Sequence, residues 1–381
     1  MSTLNQETRA MLADSVDRFI RTEYSFEDRR RNLEQHQGQS PEHWRTFVEM
    51  GWLAIPFAEE QGGFGGEITD TVSVLKGFGR GMVTEPYPGV LIAARLLALA
   101  GQGDQRESLL AGVLAGDRQV VFASEGAQGR GNPLAVGVAA EADGTGYRLS
   151  GRKVAVPFSR AASHVVVSAR GNAGDTDETV LELFLMPLDS AGIEVVEYPM
   201  MDGHQGANLA FNGVTVSQSQ QLTSPGAAGP LVRQAHAEAN LLLAAEAVGI
   251  MDTLVRKTVA YTQTRKQFGV ALAEFQVLQH RMADMYIEAT SIANLLTQTA
   301  ARWPSAAPEQ RLAMASRLKA RLGPAARYVG QQAVQLHGGI GITNELDIGH
   351  YFKRLTSIEL QGGNAEWHRK TLWRDVIDAL D

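Results

Sequence analysis

The spacing of apolar positions changes twice along the chain, and the changes divide it into three parts. Early on, Met11, Val16, Phe19 and Ile20 recur at roughly helical spacing. "SPEHWRTFVEMGW" predicts a helix with Ser40 as N-cap, Pro41 at its first position and Gly51 as C-cap. Two more helices are expected in "PGVLIAARLLALAG" and "QRESLLAGVLAG", while the glycines of "EEQGGFGGEIT" interrupt the pattern. After Asp117 the character changes. "VVFAS", "LAVGVAA", "YRLSG", "HVVVSAR", "TVLELFLMPL", "IEVVEY" and "NLAFNGVTV" are short Val-rich runs. Turn clusters such as "ADGTG" and "GNAGDTDE" separate them, the spacing of an antiparallel barrel or sandwich.

"SPGAAGP", Ser224 to Pro230, reads as a linker. Helical periodicity then returns in "NLLLAAEAVGIMDTLVRKTVAYTQTR". In the next segment Phe275, Leu278, Met282, Met285, Ile292 and Leu295 fall on or near one face. "PEQRLAMASRLKARLGPAARYVGQQAVQLHGGIG" adds one or two helices ending at a glycine cluster. The prediction is an α+β protein: an N-terminal helical domain over 1–117, a middle antiparallel β-barrel or sandwich over 118–224, and a C-terminal helical bundle over 225–381.

Composition narrows the function classes. A net charge of -7 provides no overall basic field for nucleic acid, although a local phosphate site stays open. The absence of cysteine excludes disulfides, thiolate catalysis and cysteine-ligated metals. "MSTLNQETRAMLADSVDRF" lacks the apolar core of a signal peptide, and no apolar run approaches the roughly 20 residues of a membrane span. The expectation is a cytoplasmic protein with neither nucleic-acid nor membrane partners.

The nine histidines form no HExxH-like ligand pair, so no metal site is expected. There is no G-x-S-x-G elbow, and "GGFGG" and "HGGIG" do not fit a dinucleotide fingerprint. In "TRKQFG", Arg265 and Lys266 suit phosphate oxygens, or a solvated helix end whose dipole they offset. In "QLHGGIG" the glycines permit close approach to a ligand, or a helix cap and turn.

Together these stretches resemble the acyl-CoA dehydrogenase family over nearly the whole chain. "YTQTRKQFGVALAEFQVLQHRMADM" is similar to its RxxFG…FQ…Q…LADM signature. "QLHGGIGITNELDIGHYFKR" is similar to its Q-x-x-GG-x-G…E…R signature, and "IPFAEEQGGFGG" to its P-x-x-x-GG-x-G loop. The resemblance implies FAD held between the β-domain, the C-terminal bundle and a neighbouring subunit, in a homo- or hetero-tetramer built as a dimer of dimers. Arg265, Gln267, Phe268 and Gln276 would contact the FAD of a partner subunit, and Gln335, Gly338 and Gly339 would add contacts to that cofactor. Asn364 and Glu366 match positions near FAD in relatives. In "FASEG", Phe122 and Ser124 would lie near the flavin, Ser124 at the family's Thr position.

The implied reaction is α,β-dehydrogenation of an acyl-CoA, with electrons passed to an electron-transferring flavoprotein. Yet Gly362 stands where most members carry the catalytic Glu, and Ala239 stands at the alternative base position. Asn240 replaces a common Arg, and Pro157 and Phe158 stand where a flavin-contacting hydroxyl is usual. Glu238, Glu359 and Glu366 are the substitute carboxylates within reach in sequence. The pattern is similar to one subunit type of heteromeric dehydrogenases for dicarboxylic or steroid-side-chain acyl-CoAs, in which the other chain can supply the base. A catalytically silent FAD-binding subunit and a flavin-dependent oxidase or monooxygenase are the alternative readings.

Overall fold

The computed structural model describes residues 4–100, 103–129, 131–144, 146–171 and 181–378; the turn expected at 172–178 lies outside them. Helices α1 (Gln6–Thr22), α2 (Phe26–His36), α3 (Pro41–Glu49), α4 (Val72–Gly81), α5 (Tyr87–Leu99) and α6 (Asp104–Leu114) form the N-terminal part. Leu12, Val16 and Phe19, four and three residues apart, are the buried face of α1. Phe19, Phe47, Trp52 and Phe78 meet there in tilted and edge-on ring contacts. Helix α3 has the cap read from its sequence: Ser40 Oγ accepts from the His43 N–H, and Gly51 turns the chain away at φ +70°.

Seven strands follow: β1 (Gln119–Ala123), β2 (Val138–Asp143), β3 (Gly146–Pro157), β4 (Ala162–Arg170), β5 (Leu181–Pro187), β6 (Ile193–Pro199) and β7 (Gln205–Ser217). They form one sheet in the order β1-β4-β2-β3-β7-β6, with β5 also paired to β4. Most pairs are antiparallel, as expected. The exceptions are β1 against β4, which is parallel, and a single parallel bridge of β2 to β4. A parallel pair needs a crossover connection, and the β2–β3 hairpin lies within the one between β1 and β4.

The C-terminal part holds α7 (Ala228–Thr264), the short hairpin β8 (Lys266–Gln267) and β9 (Val270–Ala271), and α8 (Gln276–Arg302). Helices α9 (Pro308–His337), α10 (Ile348–Leu360) and α11 (Ala365–Asp378) complete it. The predicted linker runs into α7: Pro230 lies in its first turn, where the missing N–H loses no helical partner. Every residue of α7 from Leu241 to Met251 is buried, because α4, α5, α8, α9 and α10 surround it. The α4 crossing is made possible by glycine. A Cβ on Gly79 would lie 2.0 Å from Glu246 O, and one on Gly249 would lie 2.0 Å from Lys76 O. Helix α9 is a single helix that runs through Gly323 and Pro324. Among the described residues no helix is long and apolar enough to cross a membrane.

Candidate functional site

A cavity of about 400 Å³ lies where the three parts meet. The α4–α5 junction contributes Glu85 and Pro86; β1 and its exit contribute Phe122 and Ser124; β3 contributes Pro157, followed by Phe158. Helix α7 contributes His236 and Ala239, and the turn after α10 contributes Gly362. Both positions at which the sequence lacks the expected base therefore open on one space.

The backbone beside Ser124 is fixed from below by a residue the sequence reading did not single out. Lys153 Nζ, on β3, donates to Ser124 O at 2.7 Å and to Ser168 Oγ at 2.9 Å. Burial pushes the Lys153 amine well below its ordinary value, against the opposing pull of Glu125. Glu125 in turn accepts from the Gly131 N–H at 2.9 Å.

The glycine pair after α10 answers to three close approaches. The last carbonyls of α10 are satisfied by Lys319, whose Nζ donates to Ile358 O at 2.5 Å and to Gln361 O at 2.7 Å. The chain then turns left-handed at Gly362 (φ +63°) and Gly363 (φ +94°). A Cβ on Gly362 would lie 2.3 Å from Asn240 Oδ1, and a Cβ on Gly363 would lie 2.8 Å from the Trp367 ring. Gly131 from the β-domain packs so tightly that its own Cβ would lie 2.3 Å from Gly363 Cα. Gly362 O accepts from His368 Nε2 at 3.0 Å, while the Gly362 N–H donates to no group among the described residues.

None of the three substitute carboxylates lines the cavity. Glu238 is clasped by Arg95 on α5, at 2.8 and 3.1 Å, and by Gln234 at 3.0 Å. One residue on a helix is a turn of about 100°, enough to carry it to another face from Ala239. Glu359 pairs with Arg327 at 3.2 Å, and Glu366, fully at the surface, pairs with Lys370 at 2.8 Å. A different carboxylate does line the cavity. Glu85 is buried and accepts from Tyr24 Oη at 2.7 Å and Asn32 Nδ2 at 2.8 Å, with His43 Nδ1 at 2.7 Å.

Arg354, also on the cavity wall, ties the three parts together. It pairs with Glu246 of α7 through two contacts of 2.6 Å and with Asp202 of the β6–β7 turn at 2.9 Å. Arg29 of α2 donates to Asp202 O at 2.7 Å. Burial pushes the Asp202 carboxyl up, but His204 and Arg354 outweigh this and hold it well below its usual range.

The residues matched to cofactor contacts fall into separate places. Phe122 and Ser124 line the cavity. Arg265, Gln267, Phe268 and Gln276 lie on the outer surface around the β8–β9 hairpin. That hairpin turns through Phe268 (φ +53°) and Gly269 (φ +87°). A large aromatic at positive φ is an outlier, and this one is 89% exposed. Arg265 and Lys266 beside it have no ion-pair partner among the described residues. Gln335 lines an open groove of about 630 Å³ with Arg281 and Phe352. Gly338 and Gly339 follow it with nothing within 4 Å of the space a Cβ would take. Asn364 and Glu366 line neither space; Asn364 Oδ1 accepts from the Trp367 N–H at 2.9 Å and caps α11.

This arrangement suits a large cofactor with phosphates. Bare glycine backbone, cations with no ion-pair partner among the described residues and an exposed aromatic share the outer surface, and the cavity is walled in part by Phe122 of β1 and residues 154–157 of β3. The comparisons with known proteins agree. The family described as "Acyl-CoA dehydrogenase, N-terminal domain" matches residues 6–117, and "Acyl-CoA dehydrogenase, C-terminal domain" matches residues 230–377. The acyl-CoA dehydrogenase IpdE2 of Mycolicibacterium smegmatis is 29% identical over 91% of this chain and 92% of its own. A variant of the Tcur3481–Tcur3483 steroid ACAD superposes with a TM-score of 0.87 at 27% identity, covering 98% of this chain and 99% of that one. The ChsE4–ChsE5 complex of Mycobacterium tuberculosis gives 0.87 at 25% identity, covering 99% of each chain. With the two family domains in the order and place that the fold gives them, the chain belongs to the acyl-CoA dehydrogenase family, whose cofactor is FAD.

Proposed function

We propose that this chain is one subunit of a heteromeric acyl-CoA dehydrogenase that carries out α,β-dehydrogenation of an acyl-CoA thioester. The observation that carries the reading is the cavity at the junction of the three parts, on which Gly362 and Ala239 both open where the resemblance leads one to expect a carboxylate. Phe122 and Ser124 would border the flavin. Arg265, Gln267, Phe268 and Gln276, with Gln335, Gly338 and Gly339, would hold the distal part of the cofactor of a neighbouring chain. When bound, FAD supplies the two-electron acceptor for the β-hydrogen, and an electron-transferring flavoprotein would take the electrons onward.

The chain's own contribution to the chemistry is polarisation. The Gly362 N–H, which has no acceptor among the described residues, would hydrogen-bond a thioester oxygen and make the substrate α-proton more acidic. Without that stabilisation the α-proton is too weakly acidic to be removed. The exposed Phe268, Val277, Tyr286 and Ile287 are a surface that a partner chain would cover. Two of the named structural relatives are themselves two-component proteins, which supports a heteromer.

The test is anaerobic. The chain is purified with any subunit that accompanies it, and its visible flavin spectrum is recorded before and after adding short, branched, dicarboxylic and steroid-side-chain acyl-CoAs. Bleaching by one class supports the reading and names the substrate class. A flavin-loaded assembly that no acyl-CoA bleaches, but that consumes oxygen with other substrates, would move the function to an oxidase or monooxygenase.

A further inference from the structure

His236 has no role in the proposed chemistry so far, yet it lines the cavity on which both vacated base positions open. It lies on α7 three residues before Ala239 and four before Asn240, so all three share one helix face. Asn240 in turn fills the space beside Gly362, and its Oδ1 stands where a side chain at 362 would begin. The His236 ring is 6.2 Å, centroid to centroid, from the ring of His368, which donates to Gly362 O. His236 thus lines the same cavity as Gly362 and Ala239, one helical turn before Ala239.

The ring has no structural occupation. No hydrogen bond to His236 exists among the described residues, and its Nε2 is shut off from solvent without a partner. A neighbouring histidine shows what a structural imidazole does here. His368 bonds Gly362 O through Nε2 and sits 3.2 Å from Ser316 Oγ through Nδ1. Trp367 packs edge-on to His236 at 5.9 Å and fixes its plane. A leucine or phenylalanine at 236 would fill the same volume without stranding a polar nitrogen.

On the reading that the chain acts on acyl-CoA thioesters, we infer that His236 is the proton acceptor for the substrate α-carbon in this chain's own cavity, replacing the carboxylate absent from 362 and 239. The α-carbon–hydrogen bond breaks, its electron pair stays on the substrate, and the proton moves to Nδ1, the ring nitrogen that is not shut off from solvent. The positive charge formed on the ring is matched by the negative charge developing on the thioester oxygen, which faces the Gly362 N–H. The β-hydrogen and its electron pair leave to the family's flavin. Burial, with the Lys319 ammonium nearby, pushes the ring down to about 4, so it is neutral near pH 7 and holds a free lone pair. That value lies in the range of an ordinary glutamate, about 4.3.

The test separates proton removal from oxidation. 3-Thiaoctanoyl-CoA has an α-proton but sulfur at the β-position, so it exchanges and cannot be dehydrogenated. The full chain, produced alone and supplied with FAD, is incubated with it in D2O, and deuterium at C2 is read by mass spectrometry. Exchange by the wild type that His236→Gln slows about 100-fold or more, with flavin content and unfolding midpoint unchanged, supports the proposal. Partial recovery in His236→Glu, a different base at the same place, supports it further. If Gln at 236 does not fold, Phe takes its place. Wild-type exchange in the variant overturns the proposal and leaves the dehydrogenase reading intact. The same holds if the chain alone exchanges nothing while its assembly is bleached by an acyl-CoA. If there is neither exchange nor bleaching, both fall.

Discussion

The outer surface around the β8–β9 hairpin and the cavity where the three parts meet are the two regions proposed to serve the flavin, and they compare differently with the family pattern. At the surface the matched residues are all present and exposed: Phe268 stands 89% exposed at positive φ beside Arg265 and Lys266, which have no ion-pair partner among the described residues. In the cavity Gly362 and Ala239 have no titratable side chain, Asn240 occupies the space beside Gly362, and Pro157 and Phe158 stand where the family usually has a hydroxyl. On the proposed reading, holding a cofactor and removing a proton would be separable in this fold. A surface that would serve a neighbouring chain is, on that reading, kept even where the chain's own base positions hold Gly362 and Ala239.

The largest stability effect should come from the junction that shapes the cavity. Arg354→Met leaves the buried Glu246 and Asp202 carboxylates without their cation, and the expected cost is about 3–5 kcal/mol in urea unfolding. A smaller loss would mean that the three parts are held together without this network and that the cavity wall is more adaptable than it looks.

Acid should act on the same region. Burial, with Lys319 also contributing, pushes His236 down to about 4, and burial, with His236 and Lys319 nearby, pushes His368 down to about 3. Below about pH 6.5 the unfolded chain takes up protons that these rings refuse in the fold. Stability therefore falls as pH drops from about 6.5 towards 4, by roughly 3 kcal/mol for His236 alone. His368→Gln should flatten part of this acid limb in unfolding curves; an unchanged limb would place the titration elsewhere.

Gly362→Ala comes next. Its Cβ would lie 2.3 Å from Asn240 Oδ1 at a φ of +63°, so about 1–2 kcal/mol of destabilisation is expected. Asn240→Gly in the same chain should remove the steric share and leave the backbone share. Gly362→Glu meets the same obstacle, so a carboxylate restored at 362 should act only once Asn240 is shortened.

The smallest stability effect belongs to the surface. Phe268→Asp removes an exposed ring and should change stability within about 0.5 kcal/mol.

Much of this was legible in the sequence, and the rest was hidden for physical reasons. The capped helix at Ser40 and the seven Val-rich strands follow from local periodicity and turn chemistry. The parallel β1–β4 pair does not, because pairing between distant strands leaves no local trace. The glycines at 362 and 363 announced a bare backbone, but the neighbours that require it, Asn240 and Gly131, lie 122 residues and more away in sequence. Glu238 was a candidate base by proximity to Ala239, and only the fold shows its clasp by Arg95. His236 carried a readable signal, one helical turn before Ala239, but a lone histidine among Arg233, Gln234, Glu238 and Asn240 is uninformative until a cavity is seen beside it.

The most direct measurement is flavin per chain in purified wild-type and Phe268→Asp protein, each isolated with its accompanying subunit and checked for an equal unfolding midpoint. The account predicts a yellow wild type and a folded variant that has lost most of its flavin. A Phe268→Asp protein that keeps its full flavin content would contradict the claim that this exposed hairpin serves the cofactor.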